Sequence, residues 1–175
     1  MALITAIINF KGGVAKTTTS INLAAGLVKK SERVLVIDTD PQGNVLINLL
    51  GNEEAVLDSK KFTLSNLYKD SSIDPNKAIV KGKYFDYIPN NLFAYQLTAG
   101  MSDYTKLREI IKKVENKYNH IIIDTPPYLG FEAINAIYTA DNLMIVTDFW
   151  LCSLINSKNY LFLEYERPNR DIDIV

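Results

Sequence analysis

Asn9-Phe10-Lys11-Gly12-Gly13-Val14-Ala15-Lys16-Thr17-Thr18 is the stretch on which the reading of this chain turns. An apolar run, Leu3-Ile4-Thr5-Ala6-Ile7-Ile8, leads into it. After it, Ile21, Leu23, Ala24, Leu27 and Val28 recur at helical spacing, which predicts a helix from about Lys16 to Lys30. Strand, glycine-rich turn and helix in that order build an anion cradle. Gly12 and Gly13 leave backbone N–H groups open toward a ligand, the helix N-terminus adds partial positive charge, and Lys16 brings a full one. The Lys16 ammonium suits β- and γ-phosphates, and the Thr17 hydroxyl suits Mg²⁺.

The strict phosphate-loop pattern G-x-x-x-x-G-K-[ST] fails at both glycine positions, where Phe10 and Ala15 stand. A second lysine, Lys11, lies inside the loop five residues before Lys16 and makes the segment a K-G-G-x-x-K-[ST] variant. If the backbone at Ala15 needs a positive φ, alanine there carries strain that glycine avoids.

Two further apolar strands deliver acids. Arg33-Val34-Leu35-Val36-Ile37-Asp38-Thr39-Asp40-Pro41-Gln42-Gly43-Asn44 ends in two carboxylates and a turn, and His120-Ile121-Ile122-Ile123-Asp124-Thr125-Pro126-Pro127 ends in a third. The carboxyl edge of a parallel sheet is where α/β proteins place their chemistry. Taken singly, the Asp40-Pro41-Gln42-Gly43 segment is an ordinary turn, Lys11 a solvated lysine and Asp124 a strand-end cap. Together, each behind its own apolar strand, they form one constellation.

In this order the three boxes resemble the deviant Walker A, D-x-D-P-Q-G-N and Walker B boxes of the ParA/MinD family of partition ATPases. The similarity covers essentially the whole chain, including Ile88-Pro89-Asn90 and Leu129-Gly130. It implies a P-loop NTPase fold, α/β with a mostly parallel sheet and helices on both faces. It also implies ATP and Mg²⁺ as ligands. The cofactor-binding candidates are Lys11, Gly12, Gly13, Val14, Ala15, Lys16, Thr17 and Thr18, and the metal candidates are Thr17, Asp38 and Asp124. The implied reaction is in-line attack of water on the ATP γ-phosphate, in which the protein chiefly positions groups and offsets charge. Catalytic candidates are Lys16, Asp40 as the group that polarises the water, and Lys11, which reaches the partner's phosphates in a nucleotide-dependent homodimer much as an arginine finger does.

Composition is consistent with this expectation. At 175 residues and 47% apolar content, the chain 1–175 has room for one core, a single domain that buries roughly 70% of its unfolded surface. A formal charge of −1 with 22% charged residues gives no global case for nucleic acid. The pairs Lys29-Lys30, Lys60-Lys61, Lys81 with Lys83, and Lys112-Lys113 read as solvated positions. Cys152 is the only cysteine, which excludes a disulfide framework and argues against an iron–sulfur relative such as the nitrogenase iron protein. No apolar stretch reaches the length of about 18 residues needed to span a bilayer, and no basic region precedes the first apolar run. His120, the only histidine, reads as structural, and Phe149-Trp150 as packing.

Along the chain, strand and helix alternate, which implies a parallel sheet. Expected elements are a short helix near Val45–Leu50, short helices at Thr63–Tyr68 and Asp74–Ile79 within an irregular region from Gly51 to Lys83, and a strand at Tyr84–Ile88 followed by a loop. Then come helices at Asp103–Tyr118 and Glu132–Thr139, a strand at Asn142–Thr147, a helix at Leu151–Glu166 stopped by Pro168, and a polar tail from Arg167 to Val175. Set against the family, the chain is expected to lack the final third, with its base-holding and DNA-contacting region.

The resemblance implies plasmid or chromosome partition in the cytoplasm, with association to the nucleoid, a centromere-binding partner protein and nonspecific DNA contact as the further expectations it carries. A MinD-like positioning ATPase is the close alternative, but Asn169-Arg170-Asp171-Ile172-Asp173 lacks the apolar face and basic flank of a membrane-gripping helix, so no membrane partner is expected. A noncatalytic nucleotide-binding regulator of a full-length relative is a second alternative, motivated by the short chain and Ala15. A bacterial tyrosine-kinase relative is a third, although Tyr160 and Tyr165 do not make a dense terminal cluster.

Overall fold

The apolar runs become one sheet in a computed structural model that describes residues 1–45, 62–147 and 171–174. Its strands are β1 (Leu3–Ile8), β2 (Val34–Asp38), β3 (Val80–Lys81), β4 (Asp86–Ile88), β5 (His120–Asp124), β6 (Asn142–Ile145) and β7 (Asp171–Ile174), in the order β3-β4-β2-β5-β1-β6-β7. All neighbours run parallel except β3, which lies antiparallel to β4. The described helices are α1 (Lys16–Lys29), α2 (Leu64–Lys69), α3 (Ala94–Thr98), α4 (Lys106–Lys112) and α5 (Phe131–Thr139).

Strands β2 and β5 are apolar without alternation because both of their faces are covered, as parallel strands flanked by helices require. On one face Ile7, Val34, Val36 and Ile122 pack with Ala24, Ile21, Leu27 and Val28 of α1. On the other, Ile4, Leu35, Ile37, Ile121 and Ile123 meet Leu67 and Tyr68 of α2, Leu107 and Ile111 of α4, and Ala136 and Ile137 of α5. Each such fully buried aliphatic side chain contributes roughly 1.5–3 kcal/mol relative to exposure. Helices on both faces and the mostly parallel sheet are as the sequence predicts. Register then does the functional work: β5 is central, with Asp38↔Asp124 on its β2 side and Ile7↔Asp124 on its β1 side, so the acids of two strands and the loop after β1 emerge together.

Several elements differ from expectation. The predicted strand from Tyr84 begins only at Asp86, and the irregular region before it contributes β3 as a two-residue hairpin partner, too short to leave a periodic signal. The expected loop after β4 holds helix α3. The helix predicted from Asp103 starts at Lys106, because Asp103 Oδ1 accepts the Thr105 N–H at 3.1 Å and its hydroxyl at 2.7 Å and holds the chain in a turn. Its C-terminal part is a separate 3₁₀ turn, Glu115–Lys117. The polar tail is corrected too: Asp171–Ile174 is a strand added in parallel to β6, its Asp-Ile-Asp-Ile alternation having the period of a strand. The short helix beyond Val45, the helix at 151–166, Cys152, Phe149-Trp150, Tyr160 and Tyr165 lie outside the described residues. No described helix is long and apolar enough to cross a membrane.

The β3–β4 hairpin turns at Gly82, where an added Cβ would stand 2.3 Å from the Phe85 carbonyl oxygen. Gly82→Ala must therefore displace backbone, and a loss of about 1–3 kcal/mol is expected. Urea unfolding of the two proteins measures it.

Candidate functional site

The loop between β1 and α1 is set by its own side chains. Asn9 is buried; its Nδ2 donates to the Val146 carbonyl at 2.8 Å while its Oδ1 accepts the Lys11 N–H at 2.9 Å, which fixes where the loop leaves the sheet. Gly13 has φ +77° and a Cβ there would meet nothing within 4 Å, so the loop faces open space at that point. Ala15, at the N-cap of α1, has φ 68° and ψ 27°: the left-handed conformation that glycine occupies without cost. No side chain caps α1 and no acid sits in its first turn, which leaves that helix end suited to an external anion.

Lys16 is buried, and its Nζ donates to the Lys11 carbonyl at 3.1 Å. Burial lowers its pKa, while Asp124 and Asp40 pull it back up. Thr17 Oγ1 donates to Asp124 Oδ2 and Ser20 Oγ to Asp124 Oδ1, both at 2.7 Å. Burial pushes the Asp124 carboxyl up to about 6, against the downward effect of those two hydroxyls and of Lys16. Thr17 and Asp124, predicted separately as metal candidates, thus meet in one contact. Ser20 was missed by sequence reasoning; its signal is its position one helical turn after Lys16, on the same face.

Asp38 is fully buried, with Oδ1 accepting the Asp40 N–H at 2.9 Å and Oδ2 the Val45 N–H at 3.0 Å. It clamps the turn that follows it. Burial, joined by the charges of Asp124 and Asp40, holds its carboxyl well above the usual range. Asp40 accepts the Gln42 N–H at 2.9 Å on Oδ1 and Asn44 Nδ2 at 3.5 Å on Oδ2. Its pKa is raised by burial, opposed by the Gln42 bond and Lys16. Thr39, between the acids, donates its N–H at 2.9 Å and its hydroxyl at 2.7 Å to the Asp124 carbonyl, bolting β2 to β5 at this edge.

Open loop amides, one buried lysine and a hydroxyl bound to a carboxylate fit a phosphate chain with a hard cation. Among the described residues no three His, Cys, Asp or Glu side chains converge as a ready-made cage. Mg²⁺ is commonly held by one or two protein groups and substrate phosphates, and the Thr17 hydroxyl with the Asp124 carboxylate offers groups of that kind.

Residues 2–157 match the protein family described as AAA domain. The chain is 37% identical over 149 residues to the sporulation initiation inhibitor protein Soj of Bacillus subtilis (strain 168), covering 83% of this chain and 58% of that one. It is 34% identical over 141 residues to the chromosome partitioning protein ParA of Myxococcus xanthus (strain DK1622), covering 78% and 49%. The chain therefore spans less than two thirds of the length of these relatives. Among solved structures, a putative plasmid partition protein from Borrelia burgdorferi B31 bound to AMPPNP superposes with a TM-score of 0.83 at 25% identity, over 99% of this chain and 72% of that one.

Two outcomes test this geometry. Ala15→Gly releases left-handed strain and is expected to stabilise the protein by about 1 kcal/mol at most, part of the gain being offset by glycine's freedom when unfolded; thermal unfolding reads it. Because the folded Asp124 carboxyl lies near 6, above its ordinary 3.8, the folded state retains a proton between those values that the unfolded state has shed. Its contribution to stability is thus present at low pH and lost as pH rises through about 4 to 6. Asp124→Asn should flatten that part of the stability profile measured by urea unfolding without nucleotide.

Proposed function

The chain belongs to the AAA-domain family that its residues 2–157 match, a ParA/MinD-like P-loop domain, and from that premise we propose that it binds Mg²⁺-ATP and hydrolyses it as a nucleotide-switched homodimer serving plasmid or chromosome partition. The observation that carries the reading is the meeting of Lys16, Thr17, Asp124 and Asp40 at the uncapped N-terminus of α1.

In this reading Lys16 and the amides of residues 12 to 18 bind the β- and γ-phosphates, with the Lys16 ammonium exchanging the Lys11 carbonyl for phosphate oxygens. Thr17 would hold Mg²⁺, with Asp124 oriented behind it and Asp38 keeping the neighbouring turn in place. Bound there, Mg²⁺ would supply charge neutralisation to the phosphate chain. Asp40 polarises the attacking water by accepting a hydrogen bond from its O–H. Its elevated pKa gives the carboxylate more basicity than a solvated aspartate, while Lys16 helps keep it ionised.

Lys11 acts in trans on the partner's nucleotide, so turnover depends on dimerisation. Support comes from its place in the loop, where Asn9 Oδ1 accepts its N–H and anchors the backbone beneath the side chain whether or not Lys16 has turned to the phosphates. Exposed Leu92, Phe93 and Leu129 follow β4 and β5 at the same edge, apolar surface of the kind an interface covers. A centromere-binding protein as partner and contact with DNA are proposed from the partition relatives.

Lys11→Ala should bind ATP as the wild type does and lose most single-turnover hydrolysis, in line with the roughly 10³- to 10⁵-fold contribution of fingers supplied in trans. Lys16→Ala should weaken ATP binding itself. Calorimetry with Mg²⁺-ATP and a phosphate-release assay separate the two, and unimpaired hydrolysis by Lys11→Ala contradicts the trans role.

A further inference from the structure

Behind the turn that carries Asp40 runs a buried polar chain with no part in phosphate or metal binding. Asn90 follows β4, and its Nδ2 donates to the carbonyl of Thr39 at 3.3 Å. Its Oδ1 accepts the hydroxyl of Ser65 on α2. Thr39, Ser65 and Asn90 are all buried. The amide is therefore oriented by chemistry: with its oxygen taken by a hydroxyl hydrogen, only its nitrogen is left to face a carbonyl. Helix α2 is tied to the same β4 loop by the Leu64 N–H, which donates to the Pro89 carbonyl at 2.9 Å.

Thr39 is the residue this chain grips. Its N–H and hydroxyl are already committed to Asp124 on the β5 side, so Asn90 takes the remaining backbone group, the carbonyl, from the opposite side. The peptide that leaves this carbonyl is the one that begins Asp40. A carbonyl held at both ends of its residue, away from water, has few orientations open to it, and breaking one such bond in a dry setting leaves a polar group unsatisfied.

We propose that Asn90, oriented by Ser65, is a positioning residue for ATP hydrolysis: it holds the Asp38-Thr39-Asp40 turn in the attitude from which Asp40 meets the attacking water. The proposal rests on the ATPase reading above and on Asp40's role in it. Asn90 itself touches neither nucleotide nor water in this scheme. Its loss is felt in turnover and not in ATP affinity, because the phosphate-binding loop is anchored separately through Asn9 and Asp124.

The test uses the full chain with Mg²⁺-ATP, calorimetric affinity and single-turnover hydrolysis. Asn90→Ala should keep the dissociation constant within about threefold while hydrolysis falls by about 10- to 100-fold, the scale expected when a reacting group is displaced by a fraction of an ångström to an ångström. Ser65→Ala, which removes a single oxygen, should lose turnover in the same direction and less; it preserves the test if Asn90→Ala does not fold. In an Asp40→Asn background, Asn90→Ala should cost no more than about a further twofold, since a residue acting through Asp40 has nothing left to position. Folded Asn90→Ala and Ser65→Ala proteins that hydrolyse at the wild-type rate overturn the proposal, as does a full additional loss in the Asp40→Asn background. A wild type that binds Mg²⁺-ATP and never hydrolyses it overturns the ATPase reading and this proposal with it, whereas an active wild type matched by Asn90→Ala overturns this proposal alone.

Discussion

Two hydroxyl hydrogens, from Thr17 and Ser20, are shared out over the two oxygens of Asp124. Through them the end of the central strand β5 is joined to the first turn of α1, and the glycine loop between β1 and α1 can take only the path that this junction allows. The bond pair also stabilises a charge that burial disfavours: the carboxyl has lost its water and has received in exchange two donors and the nearby Lys16. Around this point the sheet register assembles everything else. Asp38 stands opposite Asp124 on β2, Thr39 is bolted to the Asp124 carbonyl, and Thr125 Oγ1 donates to the Ile7 carbonyl at 2.7 Å, so three strands end in one bonded patch.

That patch is costly for the folded protein to keep. Asp38, Asp40 and Asp124 are all buried beside one buried lysine, and burial raises each carboxyl while lowering the ammonium. Ala15 adds left-handed backbone strain at the mouth of the helix. Elsewhere the two faces of the sheet are packed mainly with aliphatic side chains, and the central strands β2 and β5 read as apolar runs up to their terminal acids. Three buried carboxylates gathered at one sheet edge beside a strained helix entrance run against the rules that the aliphatic core obeys, and departures of that kind tend to cluster at functional sites.

Much of this was legible in the residues themselves, because the informative segments are local. The span of β1, the start of α1 and the strands ending at Asp38 and Asp124 follow from apolar runs bounded by glycine, aspartate and proline, and the helix at Thr63–Tyr68 from a polar cap: the Thr63 N–H and hydroxyl both donate to Asn66 Oδ1 at 2.9 Å. Short or weakly patterned pieces were not legible. Val80-Lys81 has two residues and becomes a strand only because β4 offers an edge, and Asp171–Ile174 reads as a polar tail until β6 lies beside it.

The sequence by itself determined the set of groups: a glycine loop with two lysines, a hydroxyl next to the second of them, and acids at the ends of two apolar strands, since residue type and short spacing set each of these. Only the tertiary structure decided how they are used. It joined Thr17 and Ser20 to Asp124 across more than a hundred residues, turned Asp38 onto the backbone of its own loop, and set Asn90 and Ser65 behind Thr39. The physical reason is that a hydrogen bond depends on angstrom-scale separation and orientation, which strand register and helix packing supply and which no local pattern encodes.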